Sequence, residues 1–155
     1  MTAYAIVSAT PAHVEALQDH LRKADLDELA AAAGVAPGTA LREGIRCSLE
    51  AWVGLADGVP FCLFGLAPAS LLGGSAIPWL LGTDGMDRHA AGFLRRCRPV
   101  VDRWAGMFPD LWNHVDARNL KAIRWLRWLG FTIHPAAPYG VQQLPFHRFD
   151  LMRRL

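Results

Sequence analysis

Cysteine is scarce in this chain, and the three present, Cys47, Cys62 and Cys97, form an odd set with no C-x-x-C spacing. That argues against a disulfide framework or a zinc site and leaves reduced thiols in a cytoplasmic setting as the expectation, with no metal. The opening MTAYAIVSATP has no basic stretch and is too short to read as a signal peptide. Charge is sparse as well. It makes up 19% of the residues, with a net of only +2, and residues 58–83 carry none. Pro60, Pro68, Pro78 and the Gly73-Gly74 pair interrupt that uncharged run. A spanning helix would tolerate them poorly, so buried strands with an apolar connection are expected and membrane insertion is not. No internal repeat and no linker stands out, and 155 residues with 52% apolar content suit one ordered domain, 1–155, with a sizeable core.

The charge present is unevenly placed. Residues 1–87 hold 4 Lys/Arg against 10 Asp/Glu, and residues 88–155 hold 12 against 4. Solvated helix faces account for most such runs, while an anionic partner on the C-terminal side is the functional alternative.

The most informative stretch is 111–131, LWNHVDARNLKAIRWLRWLGF. It opens as a strand, breaks at Asp116-Ala117-Arg118-Asn119, and continues as a helix capped by either Asp116 or Asn119. Ala122, Ile123, Leu126 and Leu129 form its core-facing stripe, and Gly130 supplies the positive φ that ends it. Upstream, 4–8 reads as a strand, and Thr10-Pro11 starts a helix over 12–23. Further helices are expected over 25–33 and 37–48. Asp57-Gly58 joins strands 50–56 and 59–66 through a type I′ turn. A central strand at 76–81 precedes a helix over 86–105, which Pro99 should kink or divide. Residues 131–134 are a strand, 135–145 a loop, and 146–152 the last strand. The pattern predicts an α/β fold, six to seven strands in a mixed sheet flanked by helices.

Asn119, Ala122, Leu129, Gly130 and Phe131, spaced N-x-x-A-x-x-x-x-x-x-L-G-F, resemble the last conserved segment of the GCN5-related N-acetyltransferase (GNAT) superfamily. Together with PWLLGTD (78–84) and FHRFDL (146–151), VDARNLKAIRWLRWLGF resembles more narrowly the internal core protein A family of tailed bacteriophages, over roughly 3–153. The wider resemblance implies a V-shaped split between the central parallel strands and acetyl-CoA held there. The narrower one implies a component of the virion interior or of head morphogenesis, in the virion or host cytoplasm. Its partners would be other phage structural proteins, with a homo-oligomer possible.

On the GNAT pattern, the cofactor-binding candidates are Gly82, Thr83, Gly85, Arg88 and Asn119. The physics is that of an anion on a helix N-terminus. The loop departs from the pattern: its glycines are out of register, and Asp84 and Asp87 would repel a pyrophosphate. Arg88 and His89 offset this only if they turn inward; otherwise Asp84 or Asp87 simply caps the helix. Leu126 stands where many members place a tyrosine as general acid, and strand 76–81 offers no base. His114 is the candidate base, weighed against a structural histidine. Trp79, Trp112, Trp125 and Trp128 line a groove or fill the core. Trp125 and Trp128 with Arg124 and Arg127 are the alternative docking surface. Nucleic acid is not an expected partner, since no nucleic-acid motif is present. Reduced or absent chemistry is the first expectation, and an active acetyl-CoA-dependent N-acetyltransferase the second.

Overall fold

The computed structural model describes residues 1–152. The order is β1 (Tyr4–Ser8), α1 (Pro11–Leu17), α2 (Lys23–Ala32), α3 (Pro37–Cys47), β2 (Glu50–Ala56), β3 (Val59–Ser70), β4 (Ser75–Gly82), α4 (Gly85–Met107), β5 (Asp110–Asp116), α5 (Leu120–Trp128), β6 (Thr132–Tyr139) and β7 (Leu144–Met152). Among these residues, seven strands form one mixed sheet in the order β1-β2-β3-β4-β5-β7-β6. Strand alternation gives the sheet two apolar faces. Leu63 and Leu81 join Val14, Leu17 and Leu41 under α1–α3. Phe64 and Ala76 join Phe93, Trp104 and Ile123 under α4 and α5. The α/β mixed sheet expected from the sequence is the one observed.

The centre of the sheet is split. β4 and β5 run parallel and pair only at Ser75–Asp110 and Ala76–Leu111. Pro78 helps explain the parting, since it has no N–H to offer where the ladder would continue. Its carbonyl instead accepts from Asn113 Nδ2 at 2.9 Å.

Three boundaries differ from the sequence reading. The helix expected over 12–23 stops at Leu17, because Leu21 bridges to Thr83 and the Arg22 N–H donates to Gly82 O at 2.9 Å. Those bonds pull the chain onto the lip of β4. The loop expected over 135–145 is mostly strand, since β6 runs to Tyr139 and β7 starts at Leu144. β6 is the edge of the sheet, where Pro135 and Pro138 forfeit no needed ladder bond. Pro99 does not divide α4, which continues through it. The Asp57-Gly58 turn has φ of 48° and 80°, the two positive values that type I′ requires.

Candidate functional site

Beyond the last β4–β5 pair, the split opens into a cavity of about 350 Å3, lined among others by Arg22, Glu28, Trp79, Leu80, His114, Asn119 and Trp125. Its β4 lip follows from ladder geometry. The Thr83 N–H donates to Phe61 O at 2.9 Å, so Thr83, Leu81 and Trp79 turn their backbone groups toward β3, while Gly82, Leu80 and Pro78 turn theirs toward the split. Gly82 is taken: its N–H donates to Asp25 Oδ2 at 2.8 Å and its carbonyl accepts from Arg22. Pro78 O is held by Asn113. The Leu80 backbone lies between them, facing the cavity.

α2 spans the opening. Asp25 holds β4 at Gly82, and Glu28, one turn on, accepts the β5 N–H of Asp116 through Oε1 at 2.6 Å. Burial pushes the Glu28 carboxyl up to about 7, with Asp25 and Asp116 adding to the effect against the Asp116 N–H and Arg22. Burial likewise raises Asp25, despite Arg22 Nη2 at 2.9 Å from its Oδ1. Asp116 goes the other way: burial raises it, but the side chain and amide of Arg118 outweigh that and leave it lowered.

Arg22 passes through the split. It is 4% exposed. Its Nη1 lies 3.3 Å from Asp87 Oδ1 on α4, its Nη2 donates to Asn119 Oδ1 at 3.4 Å, and its guanidinium stands 4.8 Å from the Trp125 ring centroid. Lys121 Nζ reaches the other Asp87 oxygen at 3.1 Å. The Asp87 carboxylate is thereby held between two cations near the first turns of α4 and α5.

The residues proposed from sequence divide into two groups. Asn119 and His114 line the cavity. Asn119, rather than Asp116, is the N-cap of α5, with Oδ1 accepting from Ala122 N at 3.4 Å, and its Nδ2 is buried without a partner. His114 stacks on Tyr139 at 3.9 Å between centroids. Burial and then Arg148 lower its pKa, and its Nδ1 is buried without a partner. Gly82, Thr83 and Gly85 stand at the lip, but the first-turn amides of α4 are used internally. Gly85 N donates to Thr83 Oγ1 at 3.1 Å, Met86 N to Thr83 O and Asp87 N to Asp84 O. Thr83, not Asp84 or Asp87, is therefore the side chain that satisfies the α4 start. Arg88 is exposed and lies in a separate shallow depression that Thr83, Asp84, Gly85, Asp19 and His20 also line. His89 packs against Tyr4, 3.0 Å from its hydroxyl. Arg88 thus folds back beside the loop, its Nη2 3.7 Å from where a Cβ on Gly85 would sit, whereas His89 turns away from it.

The tryptophans also separate. Trp79 and Trp125 line the cavity, Trp112 stacks with Arg148 at 4.7 Å, and Trp128 with Arg98 at 4.9 Å. Trp125 faces Arg22 while Trp128 is exposed, so the two do not share a docking face. Arg22, Asp25 and Glu28 were not picked out by sequence as site residues. Their three-residue spacing in an Ala-rich helix puts them on one side of it, but the acids there read as ordinary first-turn residues. Among the described residues, no His/Cys/Asp/Glu group has the makings of a metal site, and no helix is long and apolar enough to cross a membrane.

The residues present fit part of an acyl-coenzyme A. The Leu80 edge and the Asn119 amide suit the acyl-bearing arm, whereas the spent α4 amides and Asp87 do not suit a pyrophosphate.

No family model and no curated protein sequence matches the chain. Solved structures do. A ribosomal-protein-alanine N-acetyltransferase from Brucella melitensis superposes with a TM-score of 0.73 at 16% identity, covering 96% of this chain and 99% of that one. A GCN5-related N-acetyltransferase from Kribbella flavida gives 0.70 at 17%, covering 97% and 98%. An acetyltransferase from Salmonella typhimurium, solved with acetyl-CoA, gives 0.72 at 16%, covering 97% and 94%. With the split sheet and the strand order, these likenesses establish that the chain has the GNAT fold.

Proposed function

We propose that this chain transfers an acyl group from a thioester to an amine, the reaction its structural neighbours are named for. One observation carries the reading: Glu28, pushed up to about 7, faces the same cavity as the Leu80 edge and the Asn119 amide. A base with its pKa near working pH is the one suited to take a proton from an attacking ammonium or amine. The thioester, when bound, supplies an activated carbonyl and a thiolate leaving group. Asn119 Nδ2 and the Leu80 backbone orient that carbonyl across the split. Trp79 and α2 keep bulk water from the acceptor side. As the N–C bond forms and the C–S bond breaks, Glu28 Oε2 receives the amine proton. Oε2 has no hydrogen-bond partner among the described residues. His114 lines the same cavity, its pKa lowered by burial and then by Arg148. Leu126 has no proton to donate, so a leaving thiolate would draw its proton from water, and positioning carries most of the rate.

A second reading is favoured by a different observation. Asp87 already fills the place of an anion between α4 and α5, held by Arg22 and Lys121. With the phage-type segments, this supports a virion or head-assembly component of GNAT fold whose transferase chemistry is reduced, partnered by other phage proteins or by its own copies. Calorimetric titration with acetyl-CoA tells the two apart. Micromolar one-to-one binding supports the transferase; silence at millimolar ligand removes it.

A further inference from the structure

At the end of the sheet opposite the cleft, where β4 and β5 still pair, the β3–β4 hairpin stands out from its neighbours. The last β2–β3 pair is Glu50–Leu66, whereas β3 and β4 stay paired as far as Ser70–Ser75. Residues 67–70 therefore run past β2, and the turn beyond them is Leu71-Leu72-Gly73-Gly74. Leu72 is fully exposed and Leu71 is 70% exposed. The tip makes little demand on water. No residue from 58 to 83 is charged, the Gly73 N–H donates to Ser70 Oγ at 2.8 Å, and Gly74 O accepts from Asp110 N at 3.2 Å.

Other exposed apolar side chains gather at this end. The Leu49 N–H donates to Leu66 O at 2.8 Å, where β3 leaves β2. Arg103 joins Met107 to the same place, its Nη1 lying 3.7 Å from Met107 Sδ and 3.1 Å from Glu50 Oε2. Met152 pairs with Asp110 at the start of β5. Leu49, Met107 and Met152 are all exposed. Folding gains nothing from leaving such side chains in water together, and a gathered patch of this kind marks a binding surface.

Two tryptophan–arginine stacks border the patch. Arg148 stands 4.7 Å from the Trp112 ring and 3.9 Å from Asp110. Arg98 stands 4.9 Å from the Trp128 ring, and the end of α5 reaches β7, since a Cβ on Gly130 would sit 4.0 Å from Leu151 Cδ1. Strand alternation puts Trp112 on the sheet face away from Leu111 and α5, so the two stacks lie on opposite faces. Arg98 and Arg127 form no ion pair among the described residues. Asp102, one turn past Arg98, is an exposed acid on that side.

We infer that this end of the molecule rests on the surface of an anionic lipid bilayer, with Leu71 and Leu72 entering the acyl boundary and Arg98, Arg127 and Arg148 meeting the headgroups. A protein partner would have to supply a pocket for a protruding tip, whereas a bilayer takes one without matching its shape. Tryptophan and arginine at the margin suit headgroup level, the first through its amphipathic ring and the second through a long apolar stem with a charged end. The unpaired arginines supply the charge complementarity to anionic lipid. The contact is peripheral, and the cleft opens on the aqueous side. It is independent of the reaction assigned to the cleft.

The test is flotation of the whole protein with phosphatidylcholine vesicles and with phosphatidylcholine–phosphatidylglycerol vesicles, beside a Leu71→Ser/Leu72→Ser double variant and Arg127→Gln. The expected result is partition into the anionic vesicles that weakens as salt rises. It should fall at least about tenfold in the double serine variant and about fivefold in Arg127→Gln. These substitutions fall on exposed side chains, so melting temperatures should stay unchanged. No partition, equal partition into both vesicle types, or partition that survives the serine pair overturns the inference. A dimer in vesicle-free buffer that the serine pair breaks also overturns it, by assigning the tip to a second copy. If a variant fails to fold, the two vesicle types with the unaltered protein decide alone.

Discussion

Arg22 and Trp125 meet at 4.8 Å across the sheet, although the α2 start that carries Arg22 packs on one face and Trp125 belongs to the core of the other. The contact exists because the split lets a side chain through. Its energetics lie in charge more than in stacking. Arg22 and Asp25 are both nearly fully buried, and breaking a buried pair by removing one partner costs about 3 kcal/mol or more. Losing a desolvated cation–π contact costs about 1–2 kcal/mol. Arg22→Ala should therefore lower the urea midpoint clearly more than Trp125→Leu. Equal losses in the two variants would mean that the guanidinium is held by packing alone.

Glu28 makes stability depend on pH in a direction opposite to most carboxylates. Its folded pKa is raised from 4.5 to about 7, so its contribution is complete below pH 4.5 and is lost as pH climbs through about 7. That interval corresponds to on the order of 3 kcal/mol. Glu28→Gln keeps an oxygen for the Asp116 N–H and removes the titration. Chemical denaturation should show the variant gaining on the unaltered protein between pH 5 and pH 8. A difference that stays constant over that range would contradict a buried, raised carboxyl. In a working transferase the same variant should also lose the acidic limb of the kcat/KM profile.

The fold was readable because it is written in local signals. Asp57-Gly58 fixes one hairpin, Gly130 with its φ of 100° ends α5, and alternation places the two apolar faces. The split was readable only by resemblance, yet Pro78 shows a local cause for it. Much less of the site was readable. Asn119 and His114 reach the cavity from β5 and its following turn, where strand and cap patterns are strong. Arg22, Asp25 and Glu28 reach it from a helix distant in sequence, and their role depends on α1 ending at Leu17. That ending is set by bonds to Gly82 and Thr83, which no window of neighbouring residues contains. Arg88 stays beside the loop glycines, as its position in sequence suggested, but over a shallow depression separate from the cavity.

Asp87 separates the two functional readings. Its carboxylate neutralises Arg22 and Lys121 at 3.3 and 3.1 Å. Asp87→Asn frees Lys121 and leaves Arg22 with Asp25 as its one carboxylate partner, beside the α4 and α5 N-termini, a setting that favours anions. Inorganic pyrophosphate and acetyl-CoA should bind the variant at least about tenfold more tightly, an increment equal to 1.4 kcal/mol, and the gain should shrink as salt rises. If the unaltered protein binds acetyl-CoA and the variant binds no better, Asp87 is displaced at no cost and is no obstacle. If the variant alone binds, the internal carboxylate is what holds the chemistry in check.

Asn119 performs two tasks with opposite ends of one amide. Oδ1 caps α5 and Nδ2 is left buried without a partner. Asn119→Asp retains an oxygen at the cap, where Asp is as good as Asn, and places a carboxylate where Oδ1 now accepts from Arg22 Nη2 at 3.4 Å. It cannot donate. Asn119→Ala loses both tasks, with a capping cost of about 1 kcal/mol. If Nδ2 holds the acyl carbonyl, both variants should weaken thioester binding by about tenfold, the worth of one hydrogen bond left unmade in a buried site, while only the alanine variant loses thermal stability. If the Nδ2 donor is incidental, Asn119→Asp should bind the thioester as the unaltered protein does. Ligand affinity that tracked stability across the two variants would place the role of Asn119 in the cap, and the unmet Nδ2 would then be no argument for a bound carbonyl.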